Sequence, residues 1–401
     1  MTSTTNSSNP NRRLFIGGAI ATAASYGRVF GANDRIRVGA IGLGGRSQTL
    51  TGALRRAGGN EIVALCDVYE PRRLQAKANA TPDATDHVDY REVLDRKDID
   101  AVVIATPDHW HVAITIDAVR AGKDVYCEKP VTHTPAEGEP LIAAVRESKR
   151  VVQIGLQQRS WEHYIAVKKD VIDTGMLGQI TFIRTYWYQN HNTAGGRAPS
   201  FDTTKLDWKR FLGSAADRPF DADTYANWRW YWDFGGGAMT DLFVHWVDVA
   251  QWYLGVDMPT RATATGVKAL LQQRQTPDTM SAALSYPSAV VEFDSALLGY
   301  IEGGGLMCRG TKGAMRLHRA GFEVYNEIPN YSEAFQPPPA ALKRRSSRDG
   351  TIDHMQNFLD CVRSRNTPNA PVEVGVAAAR AGHIANIAMR GSGVWTPNNP
   401  V

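Results

Sequence analysis

The stretch RVGAIGLGGRSQTLTGALRRAGGNEIVALCD, Arg37 to Asp67, decides the fold. Arg37-Val38-Gly39-Ala40-Ile41 is a short, mostly apolar run of the kind that a buried parallel strand needs. It passes into the glycine-rich turn Gly42-Leu43-Gly44-Gly45-Arg46-Ser47 and then into a segment compatible with a helix. In that order Gly42 permits a tight turn, and Gly44 lets the backbone approach a pyrophosphate with no Cβ in the way. The following helix aims its free N–H groups at the phosphates. Leu43, Gly45 and Arg46 complete the expected phosphate-facing loop, with Arg46 as a direct contact. Ser47 replaces the third glycine of the pattern and loosens helix-to-strand packing only slightly. A second apolar run, Glu61 to Cys66, ends in Asp67 about twenty residues past the turn, where a carboxylate accepts a ribose 2′-hydroxyl. This carboxylate argues for NAD. NADP is the alternative, since Arg72 and Arg73 follow closely and a guanidinium near the ribose accepts a 2′-phosphate. A ligand-free glycine turn is the competing interpretation, and Asp67 at the strand end weighs against it.

Outward from this stretch, strand and helix patterns alternate. Strands are expected at Asp100 to Ala105, Asp124 to Cys127 and Val151 to Leu156, and helices near Val112 to Ala121 and Ala136 to Lys149. Such alternation gives a parallel sheet covered on both faces, with ligands bound at the carboxyl ends of its strands. Those ends carry Thr106-Pro107 with His111, then Glu128-Lys129-Pro130, then Gln157-Gln158-Arg159. Thr106, Pro107, His111, Glu128, Lys129 and Gln157 are therefore expected cofactor contacts, and Arg159 an expected substrate contact. After about Leu177 the character changes to longer β-prone runs, Gln179 to Gln189, Arg261 to Leu271, Met280 to Leu297 and Leu298 to Cys308, with a helix at Ala238 to Leu254. Two closing helices are expected near Ile352 to Ser364 and Val374 to Arg390, and Pro337 to Ser347 reads as an exposed loop. The predicted fold class is α/β plus α+β. An N-terminal Rossmann dinucleotide-binding domain over 33–157 is followed by a C-terminal domain over 158–401, built on a mostly antiparallel open β-sheet.

The 401 residues fit two domains and a leader. Apolar content of 43% with 21% charged residues is that of a packed soluble chain, and a net charge of +4 gives no reason to expect nucleic acid. Residues 1–32 read as an export signal: a polar start, Arg12-Arg13-Leu14-Phe15-Ile16, then a mildly apolar Gly17 to Ala24. Paired arginines before a short, weakly hydrophobic run look like a twin-arginine signal, which implies a periplasmic or otherwise exported protein. The run is too short for a stable membrane anchor. The four cysteines, Cys66, Cys127, Cys308 and Cys361, are widely spaced and are expected to be free thiols.

The helix at Ala238 to Leu254 is apolar nearly all round and so is expected to be buried. Asp241, His245 and Asp248 nevertheless fall at i, i+4 and i+7, on one stripe. A polar stripe on a buried helix faces partners or a cavity. The alternatives at this point are a histidine satisfied by Asp248 inside the core and a histidine that moves protons. Gly235-Gly236-Gly237 just before the helix would let a ligand approach the backbone. Lys129, held extended by Pro130, could steady a developing alkoxide, or could simply pair with Glu128 at the surface. Trp228-Arg229-Trp230-Tyr231-Trp232-Asp233 offers flat faces for pyranose C–H groups and charged groups for hydroxyls, or else packs in the core. His109 and His111 have no further ligand at a metal-binding spacing, and no metal is expected.

The chain after the leader resembles the Gfo/Idh/MocA oxidoreductases. The resemblance rests on Gly42-Leu43-Gly44, on Ala105-Thr106-Pro107 with His111, on Glu128-Lys129-Pro130, and on Gly235-Gly236-Gly237 leading to Asp241-Leu242-Phe243-Val244-His245. It implies a catalytic set of Lys129, Asp241 and His245. His245 would act as acid/base, Lys129 would orient the hydroxyl and polarise the carbonyl, and Asp241 would hold substrate. Arg159 at its strand end and Trp228, Arg229 and Trp230 of the aromatic cluster are the further expected substrate contacts, read from the residues themselves. It also implies hydride transfer between a secondary carbinol of a sugar, glycoside or cyclitol and NAD(P), and a homo-oligomer, dimer or tetramer, formed through the open sheet. An exported enzyme meets little free NAD, so a tightly bound, recycled cofactor is expected. This leaves a sugar–sugar oxidoreductase and an oxidising, eliminating and re-reducing glycosidase as alternatives, with a non-catalytic sugar- or nucleotide-binding protein as a third.

Overall fold

The computed structural model describes residues 35–190, 200–327, 339–346 and 349–398. The leader and its paired arginines lie outside the described residues. Six strands, β1 (Ile36–Ile41), β2 (Asn60–Cys66), β3 (Thr85–His87), β4 (Ala101–Ile104), β5 (Asp124–Cys127) and β6 (Val152–Ile154), form one sheet in the order β3-β2-β1-β4-β5-β6. All its pairings are parallel. The strand order reverses between β1 and β4, and a crevice opens there at the carboxyl ends. Strands β1, β4 and β5 are apolar without alternation because helices cover both faces. β3 carries Thr85, Asp86 and His87 at the sheet edge, and such a short polar run has no strand signal in the sequence.

Nine further strands make the second sheet: β7 (Ile180–Tyr188), β8 (Arg261–Val267), β9 (Thr279–Ser285), β10 (Val290–Ala296), β11 (Gly304–Gly310), β12 (Gly313–His318), β13 (Gly321–Asn326), β14 (Leu342–Arg345) and β15 (Val394–Trp395). Their order is β14-β13-β12-β11-β7-β10-β9-β8-β15, antiparallel except for β7 beside β10. The expected run Met280 to Leu297 is a hairpin, β9 and β10, broken at Tyr286 to Ala289. Along β8 to β10 buried residues alternate with more accessible ones, so helices cover one face and the other is open. Within the expected loop Pro337 to Ser347, Leu342–Arg345 instead adds an edge strand, because β13 leaves its backbone groups unpaired on that side.

The expected second domain, 158–401, does not stay wholly apart from the first: the helix Thr351–Ser364 crosses back to it. Its Met355, Phe358 and Leu359 join the core formed by β1, β2 and the helix Gly45–Ala57. Arg365 grips the Asp124 carboxylate at 2.7 and 2.6 Å, and Gln153 Nε2 donates to the His354 carbonyl at 2.7 Å. The chain thus returns from the second sheet to finish the first domain, which is discontinuous in sequence. All four cysteines are buried and free.

Buried histidines tie these layers together. His354 bonds the Ile154 carbonyl and Ser160, and His383 bonds Thr132. Burial pushes His109, His354 and His383 down to about 4. Unfolded imidazoles take up protons near pH 6.5, so between about pH 4 and 6.5 the unfolded chain binds more protons and stability falls as pH is lowered. Each histidine contributes about 1.4 kcal/mol per pH unit in that window. Calorimetry is expected to show a steep fall in unfolding midpoint from pH 7 to 5. A midpoint that stays level would refute this assignment.

Candidate active site

Two recesses lie along the carboxyl ends of the first sheet and meet at Thr106. The larger, roughly 330 Å³, is bounded by Arg46, Glu128 and Lys129 on one side and by Trp187, Asp241 and His245 on the other. The smaller, roughly 80 Å³, lies among Gly42, Asp67, Val68, Pro107 and Phe211.

The glycine turn between them fits a dinucleotide. Gly42 has φ of +78°, and a Cβ there would stand 2.7 Å from the Thr106 nitrogen, so no other residue is accommodated. A Cβ on Gly44 or Gly45 would meet nothing within 4 Å, which leaves open space over the turn. The helix Gly45–Ala57 has no side-chain cap, so its first N–H groups are free to face an anion there. Asp67 accepts from the Leu43 N–H at 2.7 Å and the Tyr69 N–H at 2.8 Å, so it closes the turn. Its remaining lone pairs can still take a hydroxyl. Leu43 itself is a core side chain, and only its backbone takes part.

Arg46, expected to point at pyrophosphate, reaches across to β5 and donates from Nε to Glu128 at 2.8 Å. Its Nη2 is buried without a protein partner, so one donor stays uncommitted. The buried Glu128 carboxylate also accepts from Gln157 at 3.1 Å. A Cβ on Gly155 would come within 2.7 Å of that carboxylate, so this glycine makes room for it. His111 bonds the carbonyls of Pro130 at 2.7 Å and Thr106 at 2.9 Å, fastening two strand-end loops to each other. His109 turns the other way, to the Phe211 carbonyl at 2.9 Å.

Lys129 Nζ donates to the Asp241 carboxylate at 2.6 Å and to the Asp241 carbonyl at 2.7 Å. The competing surface pair with Glu128 is therefore not the one formed. Asp241 lies in a π-helical turn, Met239–Phe243, before the α-helix Val244–Leu254. A π turn leaves the regular i→i−4 pattern and is frequent at functional sites. Burial opposes charge on Asp241, but Lys129 and Arg229 outweigh it and hold the carboxyl down to about 2. His245 is buried at the same cleft, and its Nδ1 has no protein partner. Burial first, then the cations Lys129, Arg319 and Arg46, push its pKa well below the ordinary value, so the ring is neutral at pH 7.

Several expected contacts stand elsewhere. Asp248 is paired with Arg159 at 2.8 Å, because a fully buried carboxylate needs a cation, and so it does not satisfy His245. Arg159 also lies over Trp252 at 5.2 Å and faces away from the cleft, which removes it from the substrate contacts. Trp228 and Arg229 line the cleft, but Trp230 is a core residue under Arg274. The glycines 235–237 serve packing rather than ligand approach: a Cβ on Gly235 would stand 3.0 Å from Arg229 Cα, and one on Gly237 2.7 Å from Thr276.

Sequence patterns gave no sign of Trp187, at the end of β7, or of Arg319, in the turn between β12 and β13. Both line the cleft. Trp187 stacks on His245 with centroids 6.0 Å apart and planes at 22°. Asp108 was visible only as a neighbour of the histidines. It is buried at the cleft, where desolvation and then the nearby Asp241 push its carboxyl well above the usual range.

Residues 36–156 match the family model described as oxidoreductase family, NAD-binding Rossmann fold, and residues 165–316 match the GFO/IDH/MocA C-terminal domain. Together the two cover more than half of the chain. An inositol 2-dehydrogenase of Salmonella typhimurium is 33% identical over 146 residues, which are 36% of this chain and 43% of that enzyme, so less than half of the relative's length is spanned. Inositol 2-dehydrogenase 2 of Saccharopolyspora erythraea is 26% identical over 90% of this chain and 88% of its own. A levoglucosan dehydrogenase solved with NADH and levoglucosan superposes with a TM-score of 0.69 at 19% identity, covering 90% of this chain and 99% of that one, a likeness of fold.

Proposed function

The chain belongs to the Gfo/Idh/MocA oxidoreductases, and from that premise we propose that it moves hydride between a secondary carbinol of a sugar, glycoside or cyclitol and a bound NAD(H). The observation that carries this is Lys129, fixed by Asp241, beside a neutral, unpartnered His245 in a cleft continuous with the glycine turn. The nicotinamide, when bound, accepts or returns the hydride. His245 takes the hydroxyl proton as the carbinol is oxidised. The Lys129 ammonium holds the same oxygen and stabilises the negative charge that develops on it. Asp241 keeps Lys129 charged and placed, and Trp228 with Arg229 offers a flat face and donors to the ring.

The nucleotide is retained between turnovers. Support comes from a strap of the second domain laid over the small recess. The Asp207 N–H donates to the Val68 carbonyl at 3.0 Å, Leu206 bridges Tyr69, and Trp110 Nε1 donates to the Phe211 carbonyl at 3.1 Å. On this reading these contacts would have to open before an adenosine held in that recess could leave. A held cofactor suits the exported location that the leader suggests, where one sugar is oxidised and another reduced. The open face of the second sheet is the surface for a homo-oligomer, and Asp67 favours NAD over NADP. A glycosidase working through oxidation, elimination and re-reduction is the second reading, favoured by Asp108, a buried carboxyl at the cleft whose pKa is pushed up by desolvation. Lys129 and His245 weigh against a protein that only binds, since binding needs no proton-transfer pair.

The test is to purify the full chain without added cofactor, denature it and identify the released nucleotide by mass. Near-stoichiometric NAD(H) is expected, and an empty protein would refute retention. The loaded protein is then screened with sugars, cyclitols and sugar pairs. Hydride transfer supports the oxidoreductase, aryl glycoside cleavage without net NADH supports the glycosidase, and inertness in every assay would overturn the enzyme assignment.

A further inference from the structure

Arg319 is the charged side chain of the cleft that the proposed hydride and proton transfers leave without a task. Its turn is fixed on both sides: the Ala320 N–H donates to His318 Nδ1 at 3.2 Å and the Ser346 N–H to the Ala320 carbonyl at 2.9 Å. The guanidinium lies 4.8 Å over the Trp187 ring, and Trp187 in turn stacks on His245. Arg319 therefore stands one ring away from the proton-transfer group, on the second-domain side of the cleft.

The other cations of the cleft have carboxylate partners. Arg46 pairs with Glu128 at 2.8 Å, and Lys129 and Arg229 share Asp241 at 2.6 and 3.4 Å. Among the described residues Arg319 has no carboxylate within 4.0 Å, only the Trp187 face. Asp349 lines the same cleft, but its Oδ1 receives the Thr351 N–H and hydroxyl at 2.9 and 2.8 Å. A guanidinium steadied by an aromatic face keeps its planar edge free, and that edge matches a carboxylate with two parallel N–H···O bonds. The nucleotide's own phosphates would be met by the turn Gly42 to Arg46, where the helix N–H groups have no side-chain cap.

We propose that Arg319 determines specificity by receiving a carboxylate of the substrate, which makes the preferred substrate an acidic sugar, a uronic acid or its glycoside. This rests on the carbohydrate oxidoreductase reading above. A planar acid matches that fork with two parallel N–H···O bonds; a phosphate matches it too, and the hexose phosphate in the test separates the two.

The test uses the nucleotide-loaded full chain with glucuronate, galacturonate and their methyl glycosides, each paired with the neutral hexose counterpart. Binding is followed by tryptophan fluorescence and turnover by kcat/KM. The wild type is expected to prefer the acid by at least about tenfold. In Arg319→Met the acid-to-neutral ratio falls about 100-fold, and in Arg319→Lys it recovers in part, as a point charge replaces a fork. Nucleotide content and NADH affinity stay within about twofold. An unchanged ratio, a wild type that handles neutral sugars as well as acids, or a hexose phosphate preferred to both overturns the proposal alone. A loss of NADH affinity in Arg319→Met also overturns it, by assigning the guanidinium to the pyrophosphate. If loaded wild type binds neither series, the carbohydrate reading falls, and this proposal falls with it.

Discussion

Lys129→Met is expected to lower kcat by about 10³-fold or more while the protein keeps its nucleotide. In the proposed mechanism the ammonium is the donor to the oxygen where charge develops, and loss of one such donor in a water-poor site typically costs about 10²- to 10³-fold. Methionine also strands the Asp241 carboxylate, which now relies on Lys129 at 2.6 Å and on Arg229 at 3.4 Å. That second effect brings the expected loss to the upper end of the range. Nucleotide retention should be spared, because on the proposed reading the glycine turn, Asp67 and the small recess would hold the dinucleotide without the lysine side chain. Mass analysis of the purified variant checks this directly. Equal loss of nucleotide and turnover would show that Lys129 is a binding residue and not part of the chemical step.

His245→Ala is expected to reduce oxidation by about 10²- to 10⁴-fold, the range for removing a positioned general base. The pH profile separates this from a packing defect. The base form of His245 is the neutral ring, and burial with three nearby cations pushes its pKa well below 6.5. Oxidation should therefore stay level as pH falls through 6.5 and decline only at lower pH, as the ring takes up a proton. In His245→Ala that acid limb should vanish from the residual rate. In Lys129→Met, with one of those cations gone, the limb should move to higher pH. A limb that persists unchanged in His245→Ala would assign the titration to another group, and Asp108 would be the next to test.

Much of this was legible in the chain because the signals are local. Gly42 and Gly44 sit between a strand and a helix, Asp67 closes the next strand, and Lys129 precedes Pro130 at a strand end. Each is fixed by its immediate neighbours, and the structure keeps Gly42, Asp67 and Lys129 at the two recesses. The signals failed where a position depended on a distant partner. The spacing of Asp241, His245 and Asp248 assumed a regular α-helix, but Met239–Phe243 is a π turn, and Asp248 goes to Arg159. Trp228 and Trp230 look alike in sequence, yet Trp228 lines the cleft and Trp230 is buried under Arg274.

The sequence alone determined the alternating first domain and its glycine turn, because hydrophobic period and turn chemistry are properties of neighbouring residues, while Lys129, Asp241 and His245 were singled out as a set by the family resemblance. Tertiary structure alone decided that Lys129 meets Asp241, that Trp187 stacks on His245 with Arg319 over the Trp187 ring, and that the helix Thr351–Ser364 returns to complete the first domain. The physical reason is that these contacts join segments far apart in the chain. Charge neutralisation and close packing choose such partners only once both sheets are in place.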